Sequence, residues 1–294
     1  MSNLSRAAQL RAAYTSAPIM VPGVFNALAA RMAERVGFQA IYLSGAALSA
    51  GLAAVPDVGL LTADEFATAA RYLASAVNIP LIADADTGFG EPLNVERTVR
   101  LYESAGVAGL HLEDQEFPKR CGHLSGKQVV SAEAMVAKLR AAASARRDPD
   151  FVIIARTDAR GVSGFDDAVR RAELYLEAGA DMIFPEALES KDELARFARE
   201  VRAPLVANLT EFGKTPPFSF AELATIGYSI ILYPLTVFRV AMRAAEDALR
   251  ELKTAGTQAG LLSKMQTRQE LYDLLGYRDY ESRDRAYFGG THEP

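Results

Sequence analysis

Two aspartates stand two residues apart in the stretch DADTGFG, Asp84 and Asp86. On an extended strand alternate residues face the same side, so both carboxylates can point to one centre. Clustered carboxylates repel each other unless a cation lies between them. Mg2+ suits such oxygen donors and is usually held by one or two carboxylates, retained waters and the substrate; Mn2+ is the alternative ion. Glu113, in LHLED, is placed to hold one of those waters. A third feature is PKRCGHLSGK, residues 118–127. It contains the only cysteine of the 294-residue chain, Cys121, and one of three histidines, His123. Two cations, Lys119 and Arg120, precede the thiol, and glycines 122 and 126 bracket the histidine. A thiol among cations in a flexible segment is set up for reactivity rather than for core packing. The cations favour thiolate and bound carboxylates favour thiol; a pKa balanced near neutrality suits proton transfer both ways.

Other chemistries find no support. Three scattered histidines and one cysteine cannot form a closed zinc site. The chain has no G-x-x-x-x-G-K-[ST] phosphate loop and no G-x-S-x-G elbow. Instead, polar residues recur after short apolar runs: Ser44 and Gly45 after IYL, Asp84 and Asp86 after LIA, Glu113 and Asp114 after LHL. Arg156 and Asp158 follow VIIA, Glu186 follows MIFP, Asn208 and Thr210 follow LVA, and Arg239 follows the ILYP run.

These runs are the elements that must position the chemistry. RVGFQAIYLSG (35–45), SAGVAGLHLED (104–114), EAGADMIFPE (177–186) and TIGYSIILYP (225–234) share a glycine, a gap and an apolar run. Glycines 37, 106, 179 and 227 fit helix C-caps, where positive φ is needed. Short continuous apolar runs fit parallel strands buried on both faces. IPLIADAD (79–86), DPDFVIIARTD (148–158) and APLVANLTEF (203–212) add three strands entered through or near proline, and a strand near 18–24 makes eight. Helical spacing of apolar residues lies between them at 95–106, 165–179 and 191–201, with a helix at 64–77 capped by Asp64 or Thr62. The alternation predicts an α/β fold, a (βα)8 TIM-type barrel with its active site at the strands' C-terminal ends. An open doubly wound sheet would carry a G-x-G-x-x-G turn after its first strand, and none is present. We expect one domain over 1–294, with the barrel at about 15–254 and a C-terminal helical extension at about 255–294. The segment between Asp114 and the helical pattern at 131–145 is long enough for a lid, expected to be mobile over 115–127.

Half of the residues are hydrophobic, enough for a large core without disulfides. A net charge of −5 argues against nucleic acid and anionic membrane surfaces. No apolar run reaches the roughly 20 residues of a membrane span, and the N-terminus lacks the apolar region of a signal peptide. A single cysteine excludes an internal disulfide framework. Together these point to a cytoplasmic protein.

KRCGH after a strand ending in LED, with DADTGFG upstream, resembles the isocitrate lyase and phosphoenolpyruvate mutase superfamily. The thiol-bearing loop resembles its carbon–carbon lyase branch. NLTEFG (208–213) and MQTRQELY (265–272) extend the likeness, which covers about residues 15–285. The resemblance implies Mg2+-dependent cleavage of a hydroxy-tricarboxylate of the 2-methylisocitrate type to pyruvate and succinate, in propionate breakdown. It places Tyr42, Ser44, Gly45 and Ala46 along the substrate and Asp57 in the outer shell of the metal. Asp84 and Asp86 hold the ion, and Glu113 supports its waters. Cys121, Gly122 and His123 form the catalytic loop with Lys119 and Arg120. Arg156, Glu186, Asn208, Thr210, Arg239 and Arg268 bind carboxylates or orient the reacting centre. Gly-Ala-Ala after Ser44 departs from the family, which often has a further glycine there. The resemblance also implies a homotetramer whose C-terminal helices, including the amphipathic stretch 235–253, pack on or swap into a neighbour.

The implied reaction is a retro-aldol-type cleavage. A base, with Tyr42 the candidate, takes the hydroxyl proton; Arg156 and His123 stabilise the departing carbanion; Cys121 protonates it. The forked guanidinium of arginine matches the substrate carboxylates. Isocitrate, 2,3-dimethylmalate or a related 2-hydroxy acid are alternative substrates. An oxaloacetate-type decarboxylase is disfavoured by Cys121 and His123.

Overall fold

The structure is a computed structural model that describes residues 4–124 and 126–288. Eight strands run β1 (Ile19–Val24), β2 (Ile41–Leu43), β3 (Leu81–Asp84), β4 (Gly109–Glu113), β5 (Val152–Thr157), β6 (Met182–Pro185), β7 (Val206–Asn208) and β8 (Ile230–Tyr233). All pair in parallel in the order β6-β5-β4-β3-β2-β1-β8-β7. A parallel bridge from Ile183 to Leu205 brings β6 to β7 and closes the circle. The expected (βα)8 barrel is therefore formed.

Period-two alternation gives the strands two apolar faces. Ile41, Leu43, Leu81, Ala83, Leu110, Leu112, Ile153 and Ile183 face outward and pack with helix residues such as Leu73, Val99, Leu139 and Tyr175. Val21, Tyr42, Ile82, Val152, Ile154, Met182, Phe184, Val206, Ile230 and Leu232 form a separate inner cluster. One inward step beyond these come Ser44, Asp84, Glu113, Arg156, Glu186 and Asn208, so the filling turns polar at the C-terminal ends. The other end is filled by Leu10 and Tyr14 of a helix, Arg6–Ser16, that joins the inner cluster. That helix is tied down by Arg11, which pairs with Asp181 at 2.7 Å and donates to the Asp150 carbonyl.

The helices start and stop where local chemistry dictates. Thr62, not Asp64, caps Ala63–Ala76 in a capping box with Glu65. Gly37 and Gly227 end their helices with φ of +102° and +114°. Helices absent from the pattern reading are Arg6–Ser16 and Gly45–Ala53. The latter begins immediately after β2, capped by Ser44.

The chain divides into two compact units, one through Phe238 and one from Arg239. The second contains the larger part of the helix Thr236–Ala255, a 3-10 turn at Ala259–Lys264 and helices Arg268–Leu275 and Tyr277–Tyr287. Thr267 and Glu270 cap Arg268–Leu275, and Tyr272 stacks on Tyr277.

Candidate active site

Asp84 ends β3 inside the barrel. Its Oδ2 accepts hydrogen bonds from the Gly45 amide at 3.1 Å and from the Tyr42 hydroxyl at 3.4 Å; its Oδ1 accepts from the Asp86 amide at 2.9 Å. Gly45 is the first residue of the helix Gly45–Ala53, so the carboxylate lies at a helix N-terminus, where negative charge is favoured. The approach requires glycine, because a Cβ at 45 would stand 2.7 Å from Asp84 Oδ2. Burial pushes Asp84 up, but His111, Lys119, Arg156 and the Asp86 amide outweigh it and hold the carboxyl below its ordinary range.

Asp86 bends the chain away with φ of +45°. Burial, reinforced by the Asp84 charge, pushes its carboxyl up to about 7. Its Oδ1 meets the Lys119 ammonium at 2.8 Å, and that ammonium also pairs with Asp57. Lys119 is buried, and surrounding carboxylates raise it against the opposing effect of burial.

Glu113 ends β4, with Oε2 3.0 Å from Arg156 Nη1. Burial raises Glu113 well above its ordinary range. Arg156 is fixed by Asp158, which accepts from Nε at 3.0 Å and Nη2 at 3.2 Å, and by the Phe184 ring beneath it. Its Nη2 lies 3.6 Å from Glu186 Oε1. Asn208 donates to both Glu186 oxygens, at 3.4 and 3.3 Å.

The cysteine-bearing loop docks on this cluster. His123 Nε2 is 3.2 Å from Glu186 Oε1, and His123 Nδ1 accepts the Lys214 amide at 2.9 Å. An amide at Nδ1 leaves the ring proton on Nε2, the nitrogen beside Glu186, without an aligned hydrogen bond. Arg156, His123 and Lys127 hold Glu186 below its ordinary range against burial. A Cβ at Gly122 would fall on the Glu186 carboxylate and the Arg156 guanidinium, so only glycine permits this fit. Burial, the largest influence on Cys121, raises its thiol.

The structure thus brings together Tyr42, Ser44, Gly45, Asp57, Asp84, Asp86, Glu113, Lys119, Cys121, Gly122, His123, Arg156, Glu186 and Asn208. Ala46 follows Gly45 in the same helix. Thr210 lies in the turn after β7, where Gly213 packs between it and the His123 ring. Arg120 is exposed, with its guanidinium beside Gly126 rather than on the carboxylates. Arg239 and Arg268 belong to the second compact unit. The expected pull of cations on the thiol is corrected as well. Lys119 is spent on Asp57 and Asp86, Arg120 faces outward, and burial decides the direction.

Pattern reading missed His111, whose Nε2 is 2.7 Å from the Tyr42 hydroxyl and 3.6 Å from Asp84 Oδ1. The signal was available: His111 and Glu113 share one face of β4 by alternation. Asp114, facing the other way, accepts from Thr157, Tyr175 and the Asp158 amide, and so fixes the end of β5 from behind.

Asp57, Asp84, Asp86, Glu113, Asp158 and Glu186 face three permanent cations, Lys119, Lys127 and Arg156. Asp86 Oδ1 and both Glu113 oxygens are buried with cations beside them but no aligned hydrogen-bond donor. That charge excess and those oxygens fit a divalent cation. Among the described residues no three His, Cys, Asp or Glu side chains form a cage of their own. A hard ion held through one or two carboxylates, waters and substrate needs none.

Sequence comparison bears on the same residues. The family model described as phosphoenolpyruvate phosphomutase matches residues 10–253. The chain belongs to this family. It is 55% identical over 266 residues to the 2-methylisocitrate lyase of Aeropyrum pernix, covering 90% of this chain and 85% of that one. Among solved structures it is similar to 2,3-dimethylmalate lyase, a member of the PEP mutase/isocitrate lyase superfamily. There the TM-score is 0.91 at 35% identity, over 97% of this chain and 96% of that one. Phosphonopyruvate hydrolase in complex with oxalate and Mg++ superposes with a TM-score of 0.88 at 33% identity, over 97% of this chain and 100% of that one. Among the described residues of this family member no helix is long and apolar enough to cross a membrane.

Proposed function

We propose that the chain is a carbon–carbon lyase that cleaves 2-methylisocitrate to pyruvate and succinate. The observation that carries this reading is the docking of the Cys121 loop, through Lys119 and His123, onto the strand-end carboxylates. The 55% identity to a 2-methylisocitrate lyase supports the substrate.

Asp84 and Asp86 are assigned to Mg2+, or Mn2+ in its place, with Asp57 and Glu113 around it. When bound, the ion supplies Lewis-acid polarisation of the substrate oxygen that becomes the pyruvate carbonyl. Arg156, held by Asp158 and Phe184, is placed to offset the negative charge of a bound substrate carboxylate. Ser44, Gly45 and Ala46 line the substrate beside Tyr42. Asn208 and Thr210 hold the side of the site that carries Glu186 and His123. Burial, then the Asp84 charge, raises the Tyr42 phenol well above its ordinary range, so a standing phenolate is disfavoured. Tyr42 therefore passes the hydroxyl proton on rather than resting as a phenolate; its oxygen lies 2.7 Å from His111 Nε2, whose own pKa burial lowers. The C2–C3 electron pair stays on the succinate carbon, facing His123 and Arg156. The neutral Cys121 thiol delivers its proton there. The same reading includes a homotetramer in which the C-terminal helices pack on or swap into a neighbour.

The test is turnover of 2-methylisocitrate, isocitrate and 2,3-dimethylmalate with Mg2+ and with chelator, detecting pyruvate and succinate. One methyl group in a pocket is worth about 1–3 kcal/mol, so the panel resolves the preferred acid. Pyruvate and succinate are expected from 2-methylisocitrate, with Mg2+ only. Faster cleavage of another acid, or turnover in chelator, would overturn the assignment.

A further inference from the structure

One buried cation of the loop has no part in the scheme above. The side chain of Lys127 is 2% exposed, and its ammonium donates to the Gly122 carbonyl and, at 2.6 Å, to Asp158 Oδ1. Gly122 lies between Cys121 and His123, and Asp158 is the carboxylate that grips Arg156 through Nε and Nη2. Asp158 is itself fixed by its amide on Asp114. One ammonium therefore joins the backbone of the thiol-bearing loop to the residue that orients the guanidinium at the end of β5. At the other end of the loop Gln115 donates to the Arg120 carbonyl and accepts the Arg120 amide, so the N-terminal half is braced separately. The half that carries Gly122 and His123 has Lys127 as its buried charged tie, and Gly122 sits where any side chain would strike Arg156 and Glu186.

We infer that Lys127 is a positioning residue that clamps the Cys121 loop shut and sets the thiol and Arg156 in register through Asp158. It contacts no reacting atom in this scheme. Its three N–H donors satisfy a carbonyl and a carboxylate that would otherwise lie buried with less charge compensation. A methionine of similar length keeps the packing but removes the tie, and an arginine keeps the charge with altered reach.

The inference rests on the lyase reading, so the experiment has one readout that needs no turnover. Alkylation of Cys121 by iodoacetamide, followed by mass spectrometry without substrate, reports how well the closed loop protects the thiol. Lys127→Met is expected to be alkylated several-fold faster than the wild type, and Lys127→Arg to regain part of the protection. In the turnover assay Lys127→Met should lose about 100-fold in kcat, the scale of a 1 Å misplacement, with far less change in KM. Lys191→Met, which removes an exposed pair with Glu222, is the control and should match wild type in both assays. If Lys127→Met does not fold, Lys127→Gln and Lys127→Arg carry the same comparison. Wild-type alkylation rates in folded Lys127 variants would overturn the clamp. A wild-type protein inert to every acid tested would overturn the lyase reading while leaving the alkylation result to stand or fall alone.

Discussion

In the proposed mechanism the Cys121 thiol has to hold its proton until a carbanion needs it. Burial raises it, and the His123 amide and Arg156 offset only part of that effect. A raised pKa means that the neutral thiol persists through neutral pH and the thiolate forms only above the ordinary thiol range near 8.5. Carbon alkylation proceeds through the thiolate. The rate of Cys121 modification in the resting enzyme should therefore be low at pH 7 and still be climbing above pH 9. A rate that levels off by pH 7 would show a depressed pKa and remove Cys121 from the role of acid. The direction was not legible in KRCGH. Adjacent cations in sequence read as thiolate-stabilising, yet the fold turns Lys119 onto two aspartates and leaves Arg120 outside. What sequence neighbours do electrostatically depends on where the loop sends each side chain.

At the scale of elements, the turn after β3 concentrates the charge problem. Asp84 is served by a helix N-terminus, whereas Asp86, two residues on, is pushed to about 7 by burial and by Asp84. The native state therefore binds a proton at Asp86 that the unfolded chain releases near pH 4. Between about pH 4 and 7 the folded form carries the extra proton, so stability falls as pH rises through this window. The full effect is on the order of 4 kcal/mol. Thermal melts in chelator should show Tm falling from pH 5 to pH 8. Mg2+ at about 100 times its Kd adds about 2.7 kcal/mol and should flatten that fall. A Tm that rises over the same range in chelator would contradict both the raised carboxyl and the metal assignment. Alternation along the strands made Asp84, Glu113, Arg156, Glu186 and Asn208 legible as inward strand-end residues, because period two and parallel burial are properties of local sequence. The helix Gly45–Ala53 was not, since GAALSAGLA carries no apolar stripe to mark a face. With it went the amide that holds Asp84. Lys127 was hidden for another reason: its partners, Gly122 and Asp158, meet only once the loop folds back on β5.

At the scale of the whole molecule, each chain carries a net charge of −5, so copies repel one another at long range. The proposed homotetramer would then be held by apolar surface rather than by net charge. The helix Thr236–Ala255 has the pattern for it. It is about 30 Å long at 1.5 Å per residue, and Phe238, Ala241, Ala245, Ala248 and Leu252 recur at three- and four-residue spacing. Val240 and Leu249 of the same helix are exposed. A stable interface needs on the order of 800 Å² from each partner, and apolar burial on that scale is insensitive to screening. Monovalent salt shortens the reach of the like-charge repulsion to about 10 Å at 0.1 M and less beyond. Sedimentation equilibrium should therefore give four times 31.7 kDa at low salt. The mass should stay there on going to about 0.5 M salt, because screening weakens only the opposing term. Dissociation on adding salt would mean that ion pairs hold the copies together, and a mass of one chain at micromolar concentration would exclude the tetramer.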